Sequence, residues 1–303
     1  LLIEECKFIQ SSTSQITFIH IQNPDSSISV FNCTIKPNSM FLDSVSENVT
    51  IDTCIFDNPS GTQTFHIHPG IQNKGTFVFI NNDVSDATNK FILLVSYQQP
   101  IFANNTFHDF DRGRSYFMDV TLKNQYVNSF VFENNTYKNI VGGADYNGGI
   151  TTWILSDPKA SHINIHFNNC KFINCNNRYD GKDGLPREFK RQGGAFQHGH
   201  SESIKRADLS FSFCEFSDNY ISGCGGALAF ELEGNLAIIN CNFNSNKATL
   251  SSNCLSNGGA IFLSETIAKR AQINKEVIIS NCNFVCNEGN QGSAIYYHSD
   301  ASS

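Results

Sequence analysis

The chain is poor in several things at once: among 303 residues there are 7 Pro, 2 Met and a single Trp, and only 16% of positions are charged. Basic residues are scarce relative to acidic ones, 21 Lys+Arg against 28 Asp+Glu, for a formal charge of −7. No global positive field exists to collect phosphates, which argues against nucleic acid as a partner. Long apolar runs are missing too: the longest aliphatic burst, Phe91 to Val95, is too short to span a bilayer. Apolar residues recurring at three and four over a dozen positions, the mark of helical repeats, are absent. The glycine pairs precede strand-like segments, whereas a phosphate-cradling loop must open a helix, and neither a nucleophile elbow nor a zinc-protease motif occurs. The opening Leu1-Leu2-Ile3-Glu4-Glu5-Cys6 has no Met, no basic segment and no cleavable apolar stretch. Because Cys6 already belongs to the repeat described next, the reading is of a piece cut from a longer protein, and missing targeting signals say nothing about location.

What the chain has in excess is Phe (26), Asn (36) and Gly (21), a bias that signals one local pattern used many times. The pattern runs apolar, any, apolar, any, any, Cys or Asn, any, apolar. With the Cys/Asn taken as position zero, ten copies are centred on Cys6, Cys33, Cys54, Asn82, Asn105, Asn135, Cys170, Cys214, Cys241 and Cys282. Three positions earlier stand Ile3, Val30, Ile51, Phe79, Phe102, Phe132, Phe167, Phe211, Ile238 and Ile279. Two positions later stand Phe8, Ile35, Phe56, Val84, Phe107, Tyr137, Phe172, Phe216, Phe243 and Phe284. Alternation before the centre is that of a strand with one face on a core. The step of one residue more then requires a bend, placed just before the centre. That residue is Asn in seven copies, Asn32, Asn81, Asn104, Asn134, Asn169, Asn240 and Asn281. Asn tolerates the left-handed backbone region, and its amide can bond to a copy of itself in the next layer, so a structural ladder is expected there.

A second strand signal follows: Gly225-Gly226-Ala227-Leu228, Gly258-Gly259-Ala260-Ile261 and Gly292-Ser293-Ala294-Ile295, with weaker relatives at Gly193-Gly194-Ala195-Phe196 and Gly148-Gly149-Ile150. Intervals between centres run from 21 to 44 residues. Short strands, a fixed corner and variable loops predict an all-β parallel β-helix of about ten coils, read as one domain over residues 1–303 and on the order of 50 Å long.

The pairing of Gly-Gly-Ala-apolar with Phe-x-x-Asn, at Phe216 to Asn219, Phe243 to Asn246 and Phe284 to Asn287, resembles the repeat of the polymorphic outer-membrane proteins of chlamydiae. Similar repeats occur in large surface-protein families of trichomonad-like protists. More broadly the chain resembles the right-handed parallel β-helices of the pectin-lyase-like superfamily. The bacterial members end in an outer-membrane barrel, and nothing in this sequence corresponds to one. The resemblance implies right-handed winding, as does the general crossover rule. It also implies a passenger-like rod at the cell surface or outside the cell, with adhesive partners, protein or glycan, and no cofactor.

Several residue groups invite chemistry. Seven of the 11 cysteines occupy position zero, where cysteine is expected as a small buried hydrophobe. Four glycosylation sequons begin at Asn32, Asn48, Asn104 and Asn134; three coincide with the ladder position, which leaves Asn48 as the expected acceptor if the protein is secreted by a eukaryote. Histidines pair as His66 with His68, His162 with His166 and His198 with His200; His162 and His166 are expected to face solvent, and no third ligand for a metal presents itself. The alternative function is a polysaccharide-active enzyme or glycan-binding module. The chain departs from the acid-polysaccharide enzymes in having no Asp-Asp, Asn-Thr-Asp or Arg-x-Lys. The best remaining catalytic candidates are Asp109, Asp111, Arg112 and Arg114, with a second mixed-charge cluster at Arg178, Asp180, Asp183, Arg187, Lys190 and Arg191.

Overall fold

A computed structural model describes residues 1–10, 17–37, 40–57, 63–67, 76–86, 90–95, 99–110, 118–122, 129–142, 150–156, 163–177, 193–198, 207–231, 234–250, 256–265 and 275–299. The described residues form strands and bends without a helix, so no helix is long and apolar enough to cross a membrane. Each coil contributes one strand to each of three ten-stranded sheets. One coil shows the plan: Leu236–Ile239 in the first sheet, Asn242–Asn244 in the second, Lys247–Thr249 in a short fourth sheet and Ile261–Glu265 in the third. In every sheet the successive coils are hydrogen-bonded neighbours, and every pairing is parallel. The architecture is a parallel β-helix.

Register follows the repeat frame. In the first sheet the residues three before the centre are direct partners, Val30 with Ile51, Phe79 with Phe102 and Phe132 with Phe167. In the second sheet those two after the centre are partners, Phe107 with Tyr137, Phe172 with Phe216 and Phe243 with Phe284. A one-residue slip would turn both columns to solvent, so burial locks the register. Both columns point inward, and most of their members are completely buried.

Aromatic geometry changes along the rod. From Phe107 through Tyr137, Phe172, Phe216 and Phe243 to Phe284 the second-sheet rings stack face over face, with centroids 4.7 to 5.2 Å apart. That spacing is close to the strand-to-strand distance, so an unbroken column of like residues places ring over ring. Towards the N-terminal end Ile35 and Val84 interrupt the column, and Phe41 and Phe65 from the opposite side fill the space edge-on to Phe56, at 5.8 and 5.3 Å.

The paired glycines form the turn into the third sheet. Gly225 has a φ of +75°, a region that suits glycine. Gly226 is required for a different reason: a Cβ there would lie 2.0 Å from the carbonyl oxygen of Gly259 in the next coil. Two separate constraints, one on conformation and one on approach, thus explain a doublet.

Phe243 is fully buried between Phe216 and Phe284, 4.7 and 4.9 Å away with nearly parallel planes. Phe243→Ala should destabilise the fold by about 3 to 5 kcal/mol, measured by denaturant unfolding; an unchanged midpoint would contradict the stacked placement.

Candidate functional site

The bend before position zero is left-handed in all ten copies, including the three without Asn: Glu5, Thr53 and Phe213 have φ of 54°, 53° and 56°. A second left-handed bend follows five residues later, at Asp86, Asp109, Asn139, Asn174, Asp218, Ser245 and Cys286. The sequence pattern did not disclose it, because its residue types are mixed. Its trace, in three of the seven copies, is the Phe-x-x-Asn motif, in which the bend is the residue just before Asn.

Bends interrupt the strand ladders, and the backbone N–H groups beside them need other acceptors. Position zero supplies them from inside the rod. Asn105 donates from Nδ2 to the carbonyl of Phe79 (2.8 Å), and its Oδ1 accepts the backbone N–H and the amide of Asn82 (2.9 and 3.1 Å). Asn135 does the same for Asn105 and for the carbonyl of Phe102. The cysteines occupy the same role rather than only filling space. Cys241 donates its thiol to the carbonyl of Phe211 (3.5 Å) and its sulfur accepts the N–H of Cys214 (3.4 Å). Cys54 likewise donates to Val30 and hands its N–H to Asn82. A second internal ladder stands at the other bend: Asn219 serves Cys175, Asn246 serves Asn219 and Asn287 serves Asn246, with backbone N–H to Oδ1 distances of 2.9, 3.2 and 3.0 Å.

Four of these thiols, Cys33, Cys54, Cys214 and Cys282, are poor nucleophiles, whereas the hydrogen bond with Cys214 lowers its neighbour Cys241. Burial pushes Cys54 up to about 12 and raises Cys33 and Cys282. Cys214 is raised by hydrogen bonds to Cys170 and Cys241 together with burial. The ten described cysteines are all free thiols.

Outside the bend, a second amide ladder runs at the expected residues Asn81, Asn104, Asn134 and Asn169. Each Nδ2 donates to the Oδ1 of the coil before, at 3.1, 3.1 and 2.8 Å, and Asn81 caps the run on Asp52. Asn32, Asn240 and Asn281 sit at the same corner, but among the described residues no amide-to-amide bond joins them to the run. Asn32 lies between Glu5 and Thr53, and Phe213 separates Asn240 from Asn169. The sequons divide differently from expectation. The Asn48 side chain is held in its strand by Thr76 (3.0 Å to Oγ1), and Asn104 and Asn134 are tied into the ladder, whereas exposed Asn32 makes no side-chain hydrogen bond among the described residues.

Of the catalytic candidates, Asp109 lies at the second bend, while Asp111, Arg112 and Arg114 lie outside the described residues, as do residues 178–192. Asp109 accepts from His108 Nδ1 (2.6 Å) and from Asn139 Nδ2 (2.7 Å), and Asn139 in turn accepts from Asn174 (2.8 Å). The other ring nitrogen of His108 contacts Asp83 in the preceding coil at 3.1 Å. Both ring nitrogens therefore face carboxylates, a geometry that asks for the imidazolium form. Burial lowers His108, but its bond to Asp109 and the charges of Asp83 and Asp109 outweigh that and raise it above its ordinary value. The bonds from His108 and Asn139 hold Asp109 below the usual carboxylate range.

No family model, curated protein or solved structure matches the chain.

A further cluster joins His20, Asp43 and His66 on the third sheet, with Asp43 Oδ2 and Oδ1 at 2.9 and 3.0 Å from the two Nδ1 atoms. The sequence pattern paired His66 with His68; the contact is instead between coils, through the register His20, Asp43, His66. His68, His162 and His200 lie outside the described residues, and His166 is exposed on Ser210 at 2.7 Å. Among the described residues no group of three or more His, Cys, Asp or Glu is arranged to hold a metal ion.

Asn105→Ala strands the N–H of Asn82 and the carbonyl of Phe79 and should cost about 2 to 4 kcal/mol, whereas Asn105→Cys should recover much of the loss; equal destabilisation in denaturant titrations would refute the shared role. For the His108 cluster, the raised imidazole contributes stability fully below its unfolded value of about 6.5 and loses it as pH rises through the higher folded value. The lowered Asp109 contributes above about 3.9 and loses its share as pH falls through its folded value. With Lys138 the neighbouring cation in register, NMR titration should place His108 above a free imidazole, and Asp83→Asn should bring it down.

Proposed function

We propose that the chain is a structural and adhesive β-helical rod of a secreted or cell-surface protein, which presents its outer faces and loops to a protein or glycan partner. The observation that carries this reading is the use made of the polar side chains. Interior amides and thiols close the corners, the outer Asn ladder joins coil to coil, and the Asp109 carboxylate is engaged by His108 and Asn139. Side chains so committed build a stiff stack of parallel coils, with variable segments between the strands available for recognition. The resemblance to surface repeat proteins points the same way.

The test is retention of the purified chain on immobilised extracellular-matrix proteins and on neutral and acidic polysaccharides, with reducing and unsaturated ends assayed in parallel. Saturable retention without release of ends is the expected outcome. Turnover that disappears in Asp109→Asn would replace the rod reading with an enzyme.

A further inference from the structure

One of the ten corner residues is neither polar nor small. Phe213 has a φ of +56°, a region in which a bulky side chain is an outlier, and the residue is 60% exposed. It neither fills the core nor joins an amide ladder, and among the described residues no aromatic ring packs on it. Such departures from local preference concentrate at sites that serve something other than folding.

The surroundings say what that could be. Phe213 interrupts the outer Asn column, so the run Asn81, Asn104, Asn134, Asn169 stops with Asn169, whose Oδ1 receives no amide from the next coil. On the other side Asn240 makes no side-chain hydrogen bond among the described residues. The ring is thus flanked, one coil away on each side, by amide groups with unused hydrogen-bonding capacity. Coils spaced by about 4.8 Å put these two amides about 10 Å apart, the span of two linked sugar rings. Next to them in the second sheet lie Glu215, 3.8 Å from Lys171, and Asn242, which accepts an amide hydrogen bond from Asn283 at 2.9 Å. Lys171 and Glu215 neutralise each other, and Asn242 adds an amide beside them.

We propose that Phe213, Asn169 and Asn240 form a binding platform for a neutral glycan, with the C–H face of a pyranose on the ring and its hydroxyls on the two amides. An aromatic face offers an apolar surface with a negative quadrupole to the polarised C–H bonds of a sugar, while the amides, able to donate and accept, match hydroxyl groups. An acidic polysaccharide would need uncompensated cations, and Lys171 is already paired. This site gives the rod reading a ligand class and rests on that reading.

The experiment uses the wild-type chain, Phe213→Asn and Phe213→Trp, titrated by calorimetry and saturation-transfer NMR with hexasaccharides of β-linked glucose and of N-acetylglucosamine, and with oligogalacturonate. Phe213→Asn restores the residue used elsewhere in the column, so its melting temperature should equal or exceed that of the wild type. The expected result is binding of a neutral hexasaccharide that weakens by about tenfold or more in Phe213→Asn and persists in Phe213→Trp. Binding of oligogalacturonate alone, silence towards both neutral sugars, or equal affinity in Phe213→Asn would overturn the proposal. Silence here with saturable retention on matrix proteins would remove this site and leave the rod reading standing; loss of that retention as well would remove both.

Discussion

A parallel β-helix has to close its backbone hydrogen bonds at the corners as well as along the strands, and in this chain the corner constraint decides which residues the rest can use. Along the strands the coils pair automatically once the register is set. At the first left-handed bend of each coil the pairing lapses, and a buried N–H and a buried carbonyl are answered by a side chain small enough to sit inside the rod. Asn does this with two ends of one amide. Cys does it with a thiol that donates to the carbonyl three residues before the centre of the coil beneath and accepts the N–H from the same layer. The aromatic columns then fill the space that the corners define, so the Phe stacks are a consequence of register and the register a consequence of the bends.

Much of this was legible in the residue order because the frame repeats ten times. The inward columns could be read from alternation, and the first bend from the extra step and its run of Asn. Legibility failed where the partner lies one coil away, since loop length then separates the pair by 20 to 50 residues. Cys241 and Cys214 read as packing residues until their separation of one coil became a hydrogen bond. His66 sought a neighbour at His68 and found Asp43 instead. Asp109 read as a catalytic candidate because it lies near Asp111, Arg112 and Arg114 in sequence; its described partners, His108 and Asn139, make it a clasp between coils. The second bend escaped because its residue varies, and the residue after it is Asn in only three of seven copies, Asn219, Asn246 and Asn287, whose layer-to-layer bonds the sequence alone does not show.

The two faces of a corner divide the work. Inside the first corner, position zero is confined to Asn and Cys, which can both donate and accept at short reach; inside the second, Asn219 and Asn246 alternate with Phe110, Ile140 and Cys175 in other coils. Outside, the left-handed residue needs only to tolerate its conformation, which is why Glu, Thr, Ser, Asp and even Phe appear there. That freedom is what lets one corner of a repetitive scaffold differ from its neighbours without disturbing the stack.

The bonds that join coil to coil run along the rod, because the strands lie across it. Tension applied between the two ends of the chain therefore loads the terminal layer first and opens its bonds in sequence rather than shearing them together. Each layer that lets go releases a further 21 to 44 residues, which is about 70 to 150 Å of extended chain. Under load the molecule would behave as a coiled line that pays out in instalments, and the aromatic stack beneath each departing layer would remain as the anchor for the next.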